Sequence, residues 1–393
     1  MNPAARTQAA IDLIDAIIDA ARGGGAAADQ VTKRFFAARR YAGSKDRRAI
    51  RTLAYDAVRR FGAVPVSGRA TVVAIADGDP DLAATFDGSS YGPQPITADE
   101  PRAEPGYAPA WLVDAFRASG LDDKDLAALL ERAPLDIRVN RLRADRDAIL
   151  AELGGDPAAD LPDAIRLPPD TPLDHDAALH DGRAEVQDFG SQIVSLAVGA
   201  LPDGLAIDLC AGGGGKTLAI AAQMAGRGRI LATDTDRARL SRLAPRAARA
   251  GVTIAEPRLL DPGREAAMLA DVTGQADCVM VDAPCSGTGT WRRNPEARWR
   301  LTPERLDRVV ATQARLLDVA AGLTSPSGTI TYVVCSLLDA EGAGQVDAFL
   351  ARHAGWRALP LALPRGRVHG RGMRLTPASD STDGFFVARL GRA

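Results

Sequence analysis

At 393 residues the chain exceeds the ~250 to 300 residues at which one hydrophobic core stops growing, so two or three domains are expected. Hydrophobic residues make up 46% and charged residues 25%, which excludes disordered and fibrous classes. The 48 Lys/Arg against 50 Asp/Glu give a net charge of −2, so the chain is not uniformly basic. The uncharged apolar run Ile193 to Leu201 falls far short of the ~18 residues of a membrane span, and Asp12, Asp15 and Asp19 stand where a secretory signal would be uncharged. A cytoplasmic monomer with no membrane partner is expected.

The first segment, 1–62, has Ile11, Ile14, Ile17 and Ile18 at helical spacing, then Val31, Phe35, Phe36, Ile50, Leu53, Tyr55 and Val58 with arginines interleaved. Ten Lys/Arg against two Asp between 31 and 60 give this small helical domain a basic face. Residues 63–108 are rich in Pro, Gly and Asp and are expected to be a linker. A small α+β RNA-binding module is expected over 109–183, with helices around Trp111–Phe116 and Leu126–Leu130, a strand at Leu135–Asn140, and a helix at Arg146–Leu153 stopped by Gly154-Gly155.

From 184 to 393 strand and helix patterns alternate. Strands are expected at Leu205–Leu209, Arg229–Thr233, near Thr253, at Asp277–Val281 and at Thr329–Val334. Helices are expected at Thr217–Met224, Arg237–Ala250 and Pro303–Gly322. Such alternation specifies an α/β domain whose parallel sheet is covered on both faces, with ligands beyond the C-terminal strand ends. The fold class is therefore a Rossmann-like α/β domain preceded by an α+β module and an N-terminal helical domain.

The first of those strand ends runs into Asp208-Leu-Cys210-Ala211-Gly212-Gly213-Gly214-Gly215-Lys216-Thr217. Four glycines let a ligand approach the backbone at a helix N-terminus. A triphosphate-binding loop would need glycine at 210, where this chain has Cys, and a dinucleotide fingerprint would need it at 218, where it has Leu. S-adenosylmethionine remains, a cofactor without a pyrophosphate. Asp234, at the second strand end, is placed to accept its ribose hydroxyls, and Asp261, after the third strand, to meet the adenine edge.

Four cysteines occur, at 210, 278, 285 and 335, with no C-x-x-C pair, and no metal is expected. Cys285, in Val281-Asp282-Ala-Pro-Cys-Ser-Gly-Thr-Gly-Thr290, and Cys335, in Tyr332-Val-Val-Cys-Ser336, both lie at C-terminal strand ends. A thiolate that attacks carbon 6 of a pyrimidine makes carbon 5 electron-rich enough to take a methyl group. Two such cysteines could divide attack and release.

These motifs, with Gln187-Asp-Phe-Gly-Ser-Gln192 ahead of the first strand and Thr382-Asp-Gly-Phe-Phe386 near the end, resemble the Sun/Nop family of RNA (cytosine-5) methyltransferases, and within it the bacterial enzymes acting on small-subunit ribosomal RNA. The resemblance covers most of 109–393. It implies Cys335 as nucleophile, Cys285 as the group that assists elimination, Asp282 holding the cytosine at nitrogen 3, and Lys216 within the cofactor loop or against the base. The basic N-terminal helices are similar to an antitermination-factor-like RNA-binding domain. The family loop usually reads Ala-Pro where this chain has Gly212-Gly213.

RNA, ribosomal RNA first, is the expected partner. Arg292, Arg293, Arg298 and Arg300, interleaved with Trp291 and Trp299, are candidates for gripping phosphate and stacking on an unpaired base, as are Arg138, Asn140 and Arg141 and the run Arg365–Arg374. Transfer or large-subunit RNA as substrate, and a catalytically idle RNA-binding assembly factor, are the competing readings.

Overall fold

The computed structural model describes residues 1–169, 171–173 and 176–393, and the chain divides into two compact units. One is Met1–Arg132 with Thr290–Thr302; the other is Ala133–Gly289 with Pro303–Ala393.

The first unit is helical. Its leading helix, Pro3–Arg22, starts at Pro3 with the Asn2 side chain accepting from the Ala5 N–H at 2.8 Å, and buries Ile11, Ile14, Ile17 and Ile18. Helices Ala28–Ala38 and Ser44–Arg60 carry the basic residues and contribute Phe35, Phe36, Ile50 and Val58 to the same core. The stretch expected as a linker instead holds the helix Gly68–Ala76, capped by Ser67, with Val72 and Val73 in that core and Phe86 following. A short apolar run, Val72 to Ala76, inside Pro/Gly/Asp-rich surroundings was enough to form it. Helices Ala110–Ala118 and Asp123–Ala128 also belong to this unit.

The segment Thr290–Thr302 packs inside the first unit. Trp299 donates its indole N–H to the Phe61 carbonyl at 2.8 Å, and the wholly buried Arg298 donates to the carbonyls of Val58, Arg59 and Phe61 at 2.5, 2.9 and 3.1 Å. Trp291 meets Phe116 edge to face at 5.3 Å between ring centroids. These contacts fill carbonyl acceptors that no helix continues to satisfy.

The second unit has two sheets among the described residues. The smaller is antiparallel, with strands β1 (Leu135–Val139), β2 (Asp156–Pro157), β3 (Ala164–Leu167) and β4 (Ala184–Val186) in the order β2-β3-β1-β4. The larger has β5 (Leu205–Asp208), β6 (Arg229–Asp234), β7 (Ala255–Leu259), β8 (Ala276–Asp282), β9 (Thr324–Val334), β10 (Trp356–Leu359), β11 (Arg367–His369), β12 (Gly372–Leu375) and β13 (Phe385–Arg392). Its order is β11-β12-β13-β9-β8-β5-β6-β7, with β10 beside β13. β5 to β9 pair in parallel, and β13 runs antiparallel to β9. The strand order reverses between β5 and β8, which makes their C-terminal ends the topological switch point where ligands bind.

Both faces of this sheet are covered. Along β8, Cys278 and Met280 enter one core with Leu218, Ile220 and Val387, while Val279 and Val281 enter the other with Leu317, Tyr332 and Phe349. The third strand falls at Ala255–Leu259, just after Thr253. The expected helix Arg237–Ala250 is two, Arg237–Leu240 and Leu243–Ala250, because Pro245 fits only the first turn of a helix and enforces a new start.

Candidate active site

β5 ends at Asp208, whose carboxyl is wholly buried and accepts from the Thr217 hydroxyl at 2.7 Å. Burial, with the Asp282 and Asp234 charges nearby, pushes its pKa up to about 7 against the pull of Thr217 and Lys216. The loop that follows is stitched to neighbouring strands by the Leu209 N–H on the Met280 carbonyl and the Ala211 N–H on the Thr233 carbonyl. Gly212 has φ of +56°, and a Cβ there would lie 2.6 Å from the Arg239 guanidinium. Gly213 offers its carbonyl to Arg246 at 2.6 Å. The two glycines at the Ala-Pro position thus admit two arginines from the next helical segments against the loop. Gly214 precedes the helix Gly215–Gln223, which carries Lys216 and Thr217.

Asp234, at the end of β6, accepts the Gly212 N–H on one carboxylate oxygen and the Asp236 N–H on the other, both at 2.7 Å. It therefore joins the glycine loop to the β6 turn. A cavity of about 510 Å³ opens beside it, lined by Cys210, Asp234, Asp282, Cys285 and Cys335 and closed on one side by Leu260 and Pro262. Asp261 lies between those two, with its side chain 61% exposed near Arg264. Burial and the charges of Asp208, Asp282 and Asp234 push the Cys210 thiol well up, so it is a neutral lining group.

The two strand-end cysteines meet. Cys285 Sγ and Cys335 Sγ are 3.2 Å apart, although 50 residues separate them in sequence. At the adjacent end of β8, Asp282 accepts from Lys216 Nζ at 2.7 Å. Burial opposes the Lys216 charge, but Asp282, Cys335 and Asp208 outweigh it and hold the ammonium above its ordinary pKa. The hydrogen bond to Cys335 raises the Cys285 thiol, and burial and the Cys335 and Glu341 charges raise it further.

Behind the thiols stands Glu341, wholly buried, which the motifs did not reveal. Its carboxylate accepts from the Ser286 N–H at 2.7 Å and Gln313 Nε2 at 3.0 Å, and from the hydroxyls of Ser286 and Ser336. Thr288 Oγ1 bonds Ser336 Oγ at 3.0 Å and accepts the Leu337 N–H at 3.1 Å, while the Gly289 N–H donates to the Cys335 carbonyl at 3.0 Å. The one signal in the sequence is an acidic residue six positions after Cys335, ahead of the helix Ala343–Arg352.

The candidate RNA contacts differ in burial. Arg138 is 5% exposed and donates to Gln187 Oε1 at 2.6 Å; Asn140 is 4% exposed and donates to the carbonyls of Gly182 and Ala250, both at 2.8 Å. Both hold the small sheet's surroundings together. Arg292 is buried and Arg293 half-buried, within the same segment in which Trp299 and Arg298 are spent on internal carbonyls. Arg365 and Arg374 are paired with Asp160 and Asp339.

Residues 198–391 match the family described as 16S rRNA methyltransferase RsmB/F. The chain is 34% identical over 302 residues to a protein of Synechocystis called a probable ribosomal RNA small subunit methyltransferase B, an overlap of 72% of this chain and 67% of that one. It is 36% identical over 297 residues to ribosomal RNA small subunit methyltransferase B of Xanthomonas campestris, covering 72% of this chain and 66% of the relative. A third relative, from Sodalis glossinidius, is covered over 59% of its length, so the chain spans about two thirds or less of these proteins. In fold it is similar to the crystal structure of PH0851, with a TM-score of 0.79 at 24% identity over 100% of this chain and 99% of that one.

Proposed function

Because this chain belongs to the RsmB/F, or Sun/Nop, family of 16S rRNA methyltransferases, we propose that it methylates carbon 5 of a cytosine in small-subunit ribosomal RNA with S-adenosylmethionine, through a covalent adduct on Cys335. The observation that carries this reading is the pair of thiols 3.2 Å apart in the wall of a cavity that also contains Asp234 and Asp282. A thiol pair at the switch point of a parallel sheet has no structural role that one buried apolar residue would not fill better.

The chain's own groups fit the cofactor. Asp234 uses one lone pair of each oxygen on a backbone N–H, which leaves acceptor capacity for two ribose hydroxyls. The cavity of about 510 Å³ lies within the ~300 to 1,000 Å³ range of small-molecule sites. Leu260 and Pro262 offer an apolar wall for a base, with Asp261 between them in sequence. S-adenosylmethionine, when bound, supplies a methyl group on a sulfonium.

Cys335 as thiolate adds to carbon 6 of the cytosine, and the electron pair displaced onto the ring makes carbon 5 nucleophilic. Asp282, fixed by Lys216, holds the ring at nitrogen 3. After methylation the carbon 5 proton passes to solvent water, the electron pair it leaves re-forms the ring double bond as the bond between sulfur and carbon 6 breaks, and Cys335 departs as a thiolate, a release that the Cys285 S–H assists from 3.2 Å. A base must leave its helix to reach half-buried thiols, which favours an unpaired cytosine. The exposed Lys33, Arg34, Arg48 and Arg51 of the basic helices are the phosphate contacts of the helical unit, and the reaction takes place in the cytoplasm.

Bisulfite sequencing of total RNA from cells with and without the gene tests this reading. One small-subunit ribosomal cytosine should lose its protection in the deletion. Loss at transfer or large-subunit RNA would move the substrate, and no loss anywhere would overturn the activity.

A further inference from the structure

Gly212 and Gly213 are adjacent, and each is held by a different charged side chain. The Gly212 N–H donates at 2.7 Å to Asp234, a carboxylate in the cavity wall, while the Gly213 carbonyl accepts from Arg246 Nη1 at 2.6 Å. Four consecutive glycines have no side chains with which to pack, and they lose more backbone freedom on ordering than other residues do. The loop therefore depends on restraint from outside.

Arg246 supplies that restraint from the helix Leu243–Ala250. Its Nη2 pairs with Glu185, which is 6% exposed, and Arg249, three residues along the same helix, reaches that carboxylate at 3.2 Å. Glu185 lies on β4, in register with Arg138 of β1, so the ladder of the small sheet fixes its place. A Cβ on Gly213 would lie 3.3 Å from Arg246 Nη1, close enough to crowd the guanidinium. Contacts thus run from Glu185 to Arg246 to the Gly213 carbonyl, and from the neighbouring Gly212 N–H to Asp234.

We propose that Arg246, anchored by Glu185, is a positioning residue for the cofactor: it clamps the glycine loop in the conformation from which Gly212 orients Asp234. This rests on the reading of Asp234 as the acceptor for the ribose hydroxyls. The clamp itself is a property of the free protein, and Arg246 acts through the loop backbone without touching the cofactor.

Amide hydrogen exchange of the segment 209–217 in the free protein, together with calorimetric titration of S-adenosylmethionine, tests it. In Arg246→Ala the loop amides should exchange about tenfold faster and cofactor affinity should fall about tenfold, the effect of one lost charge-assisted hydrogen bond. Exchange in β5 and β6 should stay as it was, which a general loss of stability would not allow. Arg249 still pairs with Glu185 in this variant, so the buried carboxylate is not stranded. Glu185→Gln should move both readouts in the same direction by less, and should add nothing in the Arg246→Ala background. Unchanged loop exchange in Arg246→Ala would overturn the proposal, as would faster exchange with unaltered affinity or a full Glu185→Gln effect in the double variant. No binding by the unaltered protein would overturn the cofactor reading on which the role rests, a failure recognisable because the difference in exchange would persist.

Discussion

Gly289 and Gly384 are packed backbone against backbone: a Cβ on Gly289 would lie 2.0 Å from the Gly384 carbonyl oxygen, and the Gly384 N–H donates to the Gly289 carbonyl at 2.8 Å. The end of the cysteine loop is thus pinned to the entry of β13, which explains why a Thr-Asp-Gly-Phe-Phe motif far from the thiols belongs to the same site. Gly289→Ala should force the loop away from Cys335, whose carbonyl Gly289 also holds. A loss of about 1 to 3 kcal/mol in thermal unfolding, with methyl transfer reduced more than cofactor binding, is expected.

Asp234→Ala should weaken S-adenosylmethionine binding roughly ten- to a hundredfold in calorimetry, since hydrogen bonds to a charged group contribute ~1.5 to 3 kcal/mol. It also strands the Gly212 N–H, so loop rearrangement adds to the loss. Unchanged affinity would place the ribose elsewhere.

Asp208 gives stability a pH dependence of known sign. Its folded pKa of about 7 exceeds the unfolded 3.8, so the folded state binds the extra proton between those values. The contribution is complete below the unfolded pKa and is lost as pH rises through the folded one, at most on the order of 4 kcal/mol for ~3 units at 1.36 kcal/mol each. Asp208→Asn, which mimics the neutral acid, should be less sensitive than the parent to a rise from pH 4 to 8. Parallel stability curves for the two proteins would show that Asp208 is ionised throughout.

Lys33, Arg48 and Arg51 are exposed on the basic helices. Replacing all three with Ala should lower RNA affinity and reduce the slope of log affinity against log salt by ~0.7 to 0.9 for each phosphate that is no longer neutralised. Cofactor affinity should stay unchanged. An identical slope would make this a merely solvated face.

What the sequence disclosed was what chemistry writes locally. The glycine loop, Asp234 and both cysteines each lie at the end of a short apolar strand, and the strand-helix alternation alone brings those ends to one edge. Glu341 could not be found that way, because its meaning lies in donors from Ser286, Gln313 and Ser336 that only folding assembles. The internal hydrogen bonds of Arg138, Asn140, Arg298 and Trp299 were illegible for the opposite reason: a basic or aromatic residue beside a loop reads the same whether it faces solvent or donates to a buried oxygen. The helix Gly68–Ala76 was hidden by the composition around it.

The division of labour between Cys335 and Cys285 is tested most directly by denaturing electrophoresis of single cysteine variants incubated with substrate RNA and S-adenosylmethionine. Cys335→Ala should bind both yet form neither product nor adduct, and Cys285→Ala should transfer the methyl group and accumulate a protein–RNA adduct that survives denaturation. An adduct that builds up in Cys335→Ala and vanishes in Cys285→Ala would make Cys285 the nucleophile and contradict the assignment.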